Sequence, residues 1–336
     1  MRVAAGFLAG VLLSGAGPGG PVICAAQEPA KPESTPGAAA TTAAAGTSAP
    51  NPVSKVTVTA PEPRYVAPTL KDQLGRIWAP VFINGKGPYR LVLDTGASHS
   101  AIIAQVAQEL GLAPADTGNV LLHGVTGSAT VAAVRADSLT VGDLQLATQM
   151  LPIVPDALGG AQGVLGVEGM ANMRIFIDFM HDRINITRSH FRRAESGFMV
   201  IPVHLDAKGL LRTEVRIGGV RAQAIIDTGG QVSVGNLALR DALLRHQGDA
   251  DLEDVSITGA TDDVQPGQSH ALPPIQMGQA IIQRASIAFS DLRIFDFWRV
   301  NTTPTLLIGM DTLGLLDTLV IDYQRQELQI RVRPPI

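Results

Sequence analysis

Short apolar runs separated by Gly-containing turns recur along the chain, and two sets of them have the same order. Residues 81–85 are an apolar stretch ending in a Gly turn, and residues 91–93 form the next apolar run. Residues 215–219 and 224–226 repeat this arrangement. Each set predicts a hairpin, because apolar stretches of this length on both sides of a Gly turn are typical of paired β-strands.

The similarity between the two sets continues downstream. Helical spacing of apolar residues predicts helices over residues 101–112 and 237–244. Each half then has an apolar segment ending in Gly and, later, an apolar strand with an internal Asp. A repeat of this length indicates a duplicated domain, not a solenoid of short units. The segments are Leu165-Gly166 and Ile308-Gly309, and the internal acids are Asp178 and Asp322, which we interpret as structural acids bonded to nearby backbone.

An Asp-Thr-Gly tripeptide follows both hairpins, at Asp94 and at Asp227. The simplest interpretation of one copy is a strand ending in a turn, because Asp and Gly are common turn formers. Two copies in a repeated unit favour another interpretation, in which two adjacent carboxyl groups share a proton and activate a water molecule. Such a pair titrates as a unit, so the sequence does not show which Asp is the acid and which the base.

From about Tyr65 to the C-terminus, the chain resembles the retropepsin-like and pepsin-like aspartyl proteases. The resemblance rests on the hairpins, the Asp-Thr-Gly motifs, the apolar-Gly segments and the apolar-Asp-aromatic strands. The resemblance implies an all-β fold of two pseudo-symmetric β-barrel lobes with a cleft between them and few short helices. It implies that Asp94 and Asp227 are catalytic. It further implies that the threonines cross-link the two loops, that the glycines allow close packing, and that the apolar-Gly segments form psi-shaped crossings beside the loops. These supporting residues are Thr95, Gly96, Thr228 and Gly229, with Leu165, Gly166, Ile308 and Gly309 at the crossings.

The residue after each motif departs from the pepsin pattern, which has Ser or Thr there. This chain has Ala97 and Gly230, and Ala is also the retroviral residue. Without a hydroxyl to bond an ionised carboxylate, the pair should be less acidic.

A strand–Gly turn–strand pattern lies between each motif and its apolar-Gly segment, at residues 121–128 and 255–261. Either could be an ordinary surface hairpin, but the resemblance implies two flaps that hold an extended peptide by β-strand addition. A Tyr is absent between Tyr89 and Tyr323, so the single Tyr-bearing flap of pepsins is not expected. The predicted flap residues are His123, Gly124, Val125, Thr126, Gly127, Thr258, Gly259 and Ala260, and His99 could also influence the cleft.

The N-terminus has a short charged start and an apolar stretch too short for a confident membrane anchor, which predicts a signal peptide over residues 1–26. A lipid anchor at Cys24 is the alternative, although Ile23 fits it poorly. Residues 27–63 are rich in Ala, Pro and Thr and are predicted to be a disordered linker or a prosegment. Residues 53–66 could be an added strand or a prosegment that occupies the cleft, and the sequence does not separate these options. The two lobes should then cover residues 64–195 and 196–336.

Composition narrows the function. The net charge is −4, which argues against nucleic-acid binding. The cluster of Arg183, Arg188, Arg192 and Arg193 favours a solvated connector between the lobes over a binding patch. No metal-ligand, phosphate-loop, dinucleotide or serine-nucleophile motif is present, so we expect neither cofactor nor metal.

The sequence therefore predicts a secreted or periplasmic aspartic endopeptidase, active as a monomer on peptide or protein substrates. A non-catalytic peptide-binding protein with the same fold is the alternative. An enzyme that processes only itself or one partner is a third possibility.

Overall fold

The computed structural model describes residues 4–6, 12–13, 56–59, 76–247, 252–259 and 263–332. Within these ranges strands predominate and the helices are short, so the prediction of an all-β acid-protease fold is confirmed. Buried side chains are mainly Val, Leu, Ile and Ala. Cys24 and the predicted cleavage site at Ala26 lie outside the described residues.

The first half of the chain contains one barrel and its flap. Its elements are β1 (Ala4–Gly6), β2 (Leu12–Leu13), β3 (Val56–Thr59), β4 (Trp78–Ile83), β5 (Lys86–Leu93), β6 (Ala101–Ile103), α1 (Ala104–Leu110), β7 (Pro114–His123), β8 (Ser128–Val141), β9 (Leu144–Val154), β10 (Gly163–Leu165), a 3-10 turn (Met170–Asn172), β11 (Met173–Asp178) and β12 (Arg183–Arg188).

Six of these strands close into a barrel in the order β4–β5–β10–β6–β9–β8, with β8 pairing back onto β4. One prediction fails here. Residues 101–103, expected to start a helix, form strand β6, and α1 begins only at Ala104. Ile102 pairs with Gly163 on one side and Ile153 on the other, so sheet pairing takes precedence over the helical spacing of its neighbours.

The second half repeats the arrangement. Its elements are β13 (Met199–Pro202), β14 (His204–Leu205), β15 (Leu211–Ile217), β16 (Val220–Ile226), β17 (Val234–Gly235), α2 (Leu237–Gln247), β18 (Glu253–Thr258), β19 (Val264–Ala271), β20 (Ile275–Met277), β21 (Ala280–Gln283), β22 (Ser286–Phe289), α3 (Arg293–Phe297), β23 (Thr305–Ile308), α4 (Met310–Leu313), β24 (Leu316–Asp322) and β25 (Glu327–Val332).

The sheet of the second half differs from the first barrel because the counterparts of its two long strands are each divided, that of β9 into β21 and β22. In the first half, β8 runs unbroken from the flap to its pairing with β4. In the second half, the equivalent path is split into β19 and β20, which flank Pro273 and Pro274. Proline has no N–H for a β-ladder, so two in succession interrupt the strand. Strand β20 still pairs with β15, as β8 does with β4.

A five-stranded sheet, ordered β12–β11–β24–β25–β13, joins the two halves. Strands β11 and β24 come from different halves and pair antiparallel at its centre. The internal acids lie at its turns and bond to backbone, as expected: Asp178 accepts from the N–H groups of Met180 and His181, and Asp322 from that of Arg325.

Among the described residues upstream of residue 76, three short strands extend the sheets of the two halves. β3 pairs parallel with β21, β2 pairs with the end of β7, and β1 pairs parallel with β18. Among the described residues, none of the helices combines the length and apolar character needed to cross a membrane.

Candidate active site

The two Asp-Thr-Gly motifs begin where two equivalent barrel strands end. Asp94 follows β5 and Asp227 follows β16, and both side chains are fully buried. The predicted crossing segments run alongside: the Asp94 N–H donates to Leu165 O and the Asp227 N–H to Ile308 O, each at 2.9 Å. Each acid is therefore fixed by a neighbouring strand on which Gly follows the accepting residue.

The two threonines bond the loops to each other in a symmetric set of four hydrogen bonds. The Thr95 hydroxyl donates to Ile226 O and the Thr228 hydroxyl to Leu93 O, both at 2.7 Å. In return, the N–H of each threonine donates to the hydroxyl of the other at 3.1 Å. These buried bonds hold the two motifs, one from each half, in a single rigid unit.

Each motif glycine packs against the acid of the opposite loop. A Cβ on Gly229 would overlap the Asp94 carboxyl group, and one on Gly96 would lie 3.1 Å from Asp227 Oδ1. The same glycines donate their N–H groups to their own loop's acid, at 2.8 Å for Gly96 and 2.9 Å for Gly229. A side chain at position 229 would exclude this approach and one at position 96 would crowd it, so the two glycines allow the loops to pack closely.

The site's electrostatics favour a shared proton. Burial raises the pKa of Asp227 to about 6, although hydrogen bonds involving Asp94, Gly229 and Gly230 and the charge of Arg76 act to lower it. The Gly230 N–H donates to Asp227 Oδ1 at 3.0 Å, so the position without a side-chain hydroxyl still supplies one donor. A buried pair of carboxyl groups in contact holds one proton over a wide pH range.

Two further buried groups act on the pair and had not been predicted. Arg76 precedes β4 and, by continuation of the β4–β5 register, lies opposite Asp94; it is 6% exposed. Burial, and then the charge of Asp94, raise the pKa of the Tyr323 phenol. Arg76 belongs to no repeated motif, so the sequence carried no signal for it. Tyr323 is the aromatic residue of the second apolar-Asp-aromatic strand, but that pattern did not indicate that it acts on the acids.

A second pair of hydrogen-bonded groups braces each loop from behind. The Ser100 N–H donates to Glu168 Oε1 at 2.7 Å, and its hydroxyl accepts the Gly166 N–H. In the other half, the Ser233 hydroxyl donates to Asp311 Oδ1 at 2.7 Å and accepts the Gly309 N–H. The sequence did hold a signal here. In both halves Ser lies six residues after the motif Asp, and an acid lies two residues after the crossing Gly.

The first predicted flap packs on the other half of the molecule. Val125 is fully buried in an apolar cluster with Leu292, Ile294 and Phe295, and its carbonyl accepts the Ile294 N–H at 3.3 Å. Gly124 and Gly127 close the turn by a 2.8 Å backbone bond. The His123 ring lies 4.5 Å from that of Phe297, on which Lys208 Nζ also rests at 3.5 Å.

The second predicted flap meets the first at its turn. Thr258 ends β18, and a Cβ on Gly259 would overlap the Thr126 hydroxyl. A Cβ on Gly127 would likewise overlap the Asp263 carboxylate. The structure therefore brings the two predicted flap turns into contact, while Ala260 lies outside the described residues.

His99 lies next to the first crossing, where its backbone packs against Gly166, and burial lowers its pKa. Burial, and then the charge of Lys208, also lower the pKa of His123. Among the described residues, no group of three or more His, Cys, Asp or Glu side chains is placed to hold a metal ion.

Comparison with known families agrees with this geometry. Residues 79–168 match the family model described as aspartyl protease, which supports assignment of the chain to the aspartyl protease family and a protease function. The matched segment contains Asp94 and the Leu165-Gly166 crossing, whereas Asp227 lies beyond it. Among curated proteins, the comparison finds no match.

Proposed function

We propose that the protein is an aspartic endopeptidase that hydrolyses peptide bonds with a water molecule activated between Asp94 and Asp227. The observation that carries this proposal is the convergence of two fully buried acids from two halves, held by reciprocal threonine bonds. A loop with only a structural role does not require two carboxyl groups in mutual contact.

In the proposed mechanism, the pair holds one proton and one negative charge. The ionised carboxylate removes a proton from a water molecule, which attacks the peptide carbonyl carbon. The protonated carboxyl group then supplies a proton to the departing nitrogen, and the C–N bond breaks. The rigid Thr95–Thr228 unit keeps both oxygens aligned through these steps, so little reorganisation is needed.

Substrate binding by β-strand addition is supported by how the flap strands pair in the structure. Leu12 and Leu13 pair with His123 and Leu122, and residues 4–6 pair with 256–258. Each flap strand thus accepts an extended segment, here supplied by the chain's own N-terminus. We further propose export and removal of residues 1–26, which would leave these edges to a peptide, and activity as a monomer because one chain carries both acids.

The test is incubation of the purified protein with a diverse peptide mixture, with products identified by mass spectrometry. Asp94→Asn and Asp227→Asn should each lower hydrolysis at least about a hundredfold, since each removes a proton-transfer group. Asp182→Asn is the matched control, because Asp182 is an exposed turn residue between β11 and β12. Retention of most activity in either site variant, with folding checked by thermal melting, would overturn the proposal. Peptides bound but never cleaved would favour the non-catalytic alternative.

A further inference from the structure

A cavity of about 550 Å³ lies beside the sheet that joins the two halves, away from the paired acids. Its lining is strongly basic and comes from strands β11 and β12 and from the segment that leads to β13. The lining residues are Arg174, Thr187, Arg188, His190, Arg192, Arg193 and Glu195. Arg183, part of the basic cluster seen in the sequence, instead lies opposite Asp178 and does not line it.

Four arginine residues line this cavity, and three of them are exposed. Within the described part of the chain, none of the four makes an ion pair. The acids nearby are Glu195 on the lining and Asp143, which accepts the main-chain N–H of Arg188. Asp322 lies opposite Arg174 in the β11–β24 register, and the charge of Arg174 also helps to lower the pKa of Glu327, so the positive charge of Arg192 and Arg193 is the least compensated. Arginine stays charged in proteins, so the cavity carries a concentrated positive charge in a chain whose net charge is −4. Such a cluster matches an anion with several acceptor oxygens.

The loop beside the cavity is held in a strained conformation that exposes an aromatic ring. Phe191 has φ of 53° and is 62% exposed, a rare combination for a bulky residue. Arg325 Nη1 donates to the Phe191 carbonyl at 3.1 Å, and Arg325 is itself fixed by two hydrogen bonds to Glu327. Ser189 is bonded on the other side, to Asp322 and Asn172. Strain maintained by this many contacts is typical of functional loops.

We propose that the arginine cavity and Phe191 together bind the phosphate headgroups of an anionic phospholipid surface. The guanidinium groups provide planar, forked donors for phosphate oxygens. An exposed aromatic ring at the level of the headgroups is the usual apolar complement at a membrane interface. A free phosphate ion would use the arginines but has no use for the ring, and the phospholipid is therefore the favoured ligand.

The experiment is flotation of the purified protein with vesicles of phosphatidylcholine alone or mixed with phosphatidylglycerol. We expect binding only to the mixed vesicles, weakening as salt is raised. Arg192→Gln with Arg193→Gln should weaken binding about fivefold per arginine, or about 25-fold together. Phe191→Ser should weaken it separately. Arg216→Gln with Arg221→Gln is the matched control, with the same charge change on exposed residues of the β15–β16 hairpin.

Binding that survives the Arg192/Arg193 change, or that falls equally in the control pair, would overturn the proposal. So would full retention of binding by Phe191→Ser together with displacement by inorganic phosphate, which would indicate a free-anion site. Binding of a single-stranded oligonucleotide by a protein that does not bind the vesicles would also overturn it and would indicate a nucleic-acid surface instead. Thermal melting checks the fold, and Arg188→Gln with Arg193→Gln is a second pair if the first is unstable. Because the site lies outside the proposed active site, the result does not depend on peptide hydrolysis.

Discussion

Replacement of Thr228 by Val tests whether the buried threonine bonds hold the two acids in place. Valine has nearly the shape of threonine, so the change removes the hydroxyl and little volume. The hydroxyl makes two buried bonds, as donor to Leu93 O at 2.7 Å and as acceptor from the Thr95 N–H at 3.1 Å. Both partners belong to residues with no solvent exposure, so water cannot replace the lost oxygen.

The expected loss of stability follows from the two buried groups that lose their hydrogen-bond partner. A buried donor or acceptor left without its partner costs about 1–3 kcal/mol, so the pair should cost about 2–6 kcal/mol. That is a large share of a domain stability of about 5–15 kcal/mol, yet compatible with folding. The loosened loops should also let the carboxyl groups separate. A misplacement of about 1 Å costs about a hundredfold, so kcat should fall about 10- to 100-fold.

Chemical denaturation and steady-state kinetics measure the two effects. Thr305→Val is the control, because Thr305 is equally buried but its hydroxyl donates only to the local Thr303 carbonyl, at 2.8 Å. We expect the control to cost about 1 kcal/mol and to leave kcat unchanged. A cost below about 1 kcal/mol for Thr228→Val, with kcat intact, would refute the argument that these bonds align the site.

Three further predictions concern groups around the pair. Burial raises the pKa of Glu168 from 4.5 to about 7, so the wild type should lose about 3 kcal/mol of stability as pH rises through that window. In Glu168→Gln, chemical denaturation below and above this pH window should give the same free energy of unfolding. The same dependence of stability on pH as in the wild type would contradict the prediction. The profile of kcat/KM should peak at roughly pH 4 to 7. Arg76→Gln should move the acid limb of this profile to higher pH, because it removes a positive charge that favours the ionised form of Asp227. Ala97→Ser should move the acid limb to lower pH, because the added hydroxyl can donate a hydrogen bond to the ionised carboxylate. An acid limb at the wild-type pH in either variant would contradict the corresponding prediction. Val125→Ser should release the first flap from its apolar cluster. We expect faster amide hydrogen exchange over residues 121–128 and a several-fold lower kcat/KM, and unaltered exchange would contradict the prediction.

The local and repeated parts of the fold could be predicted from the amino-acid sequence alone. The hairpins and the Asp-Thr-Gly loops at their ends were predictable, because each is a short apolar run next to a Gly or Asp with few conformational options. The crossing of the apolar-Gly segments beside these loops was implied by the resemblance to aspartyl proteases, not by local pattern. Repetition then added what one copy lacks, since two equivalent strand ends imply two acids in one site. The helix expected from residue 101 was wrong because a three-residue apolar run carries no reliable period of its own.

The contacts between groups that are distant in the sequence could not be predicted in this way. Arg76 precedes the first hairpin, yet its charge lowers the pKa of Asp227. Tyr323 lies near the C-terminus, yet the charge of Asp94 helps to raise the pKa of its phenol. Val125 packs among residues of the other half, and Arg174 joins a cavity with Arg192. These contacts depend on how the two halves pack and on non-local strand order. Local pattern encodes the strands, whereas long-range packing decides which side chains share a buried site.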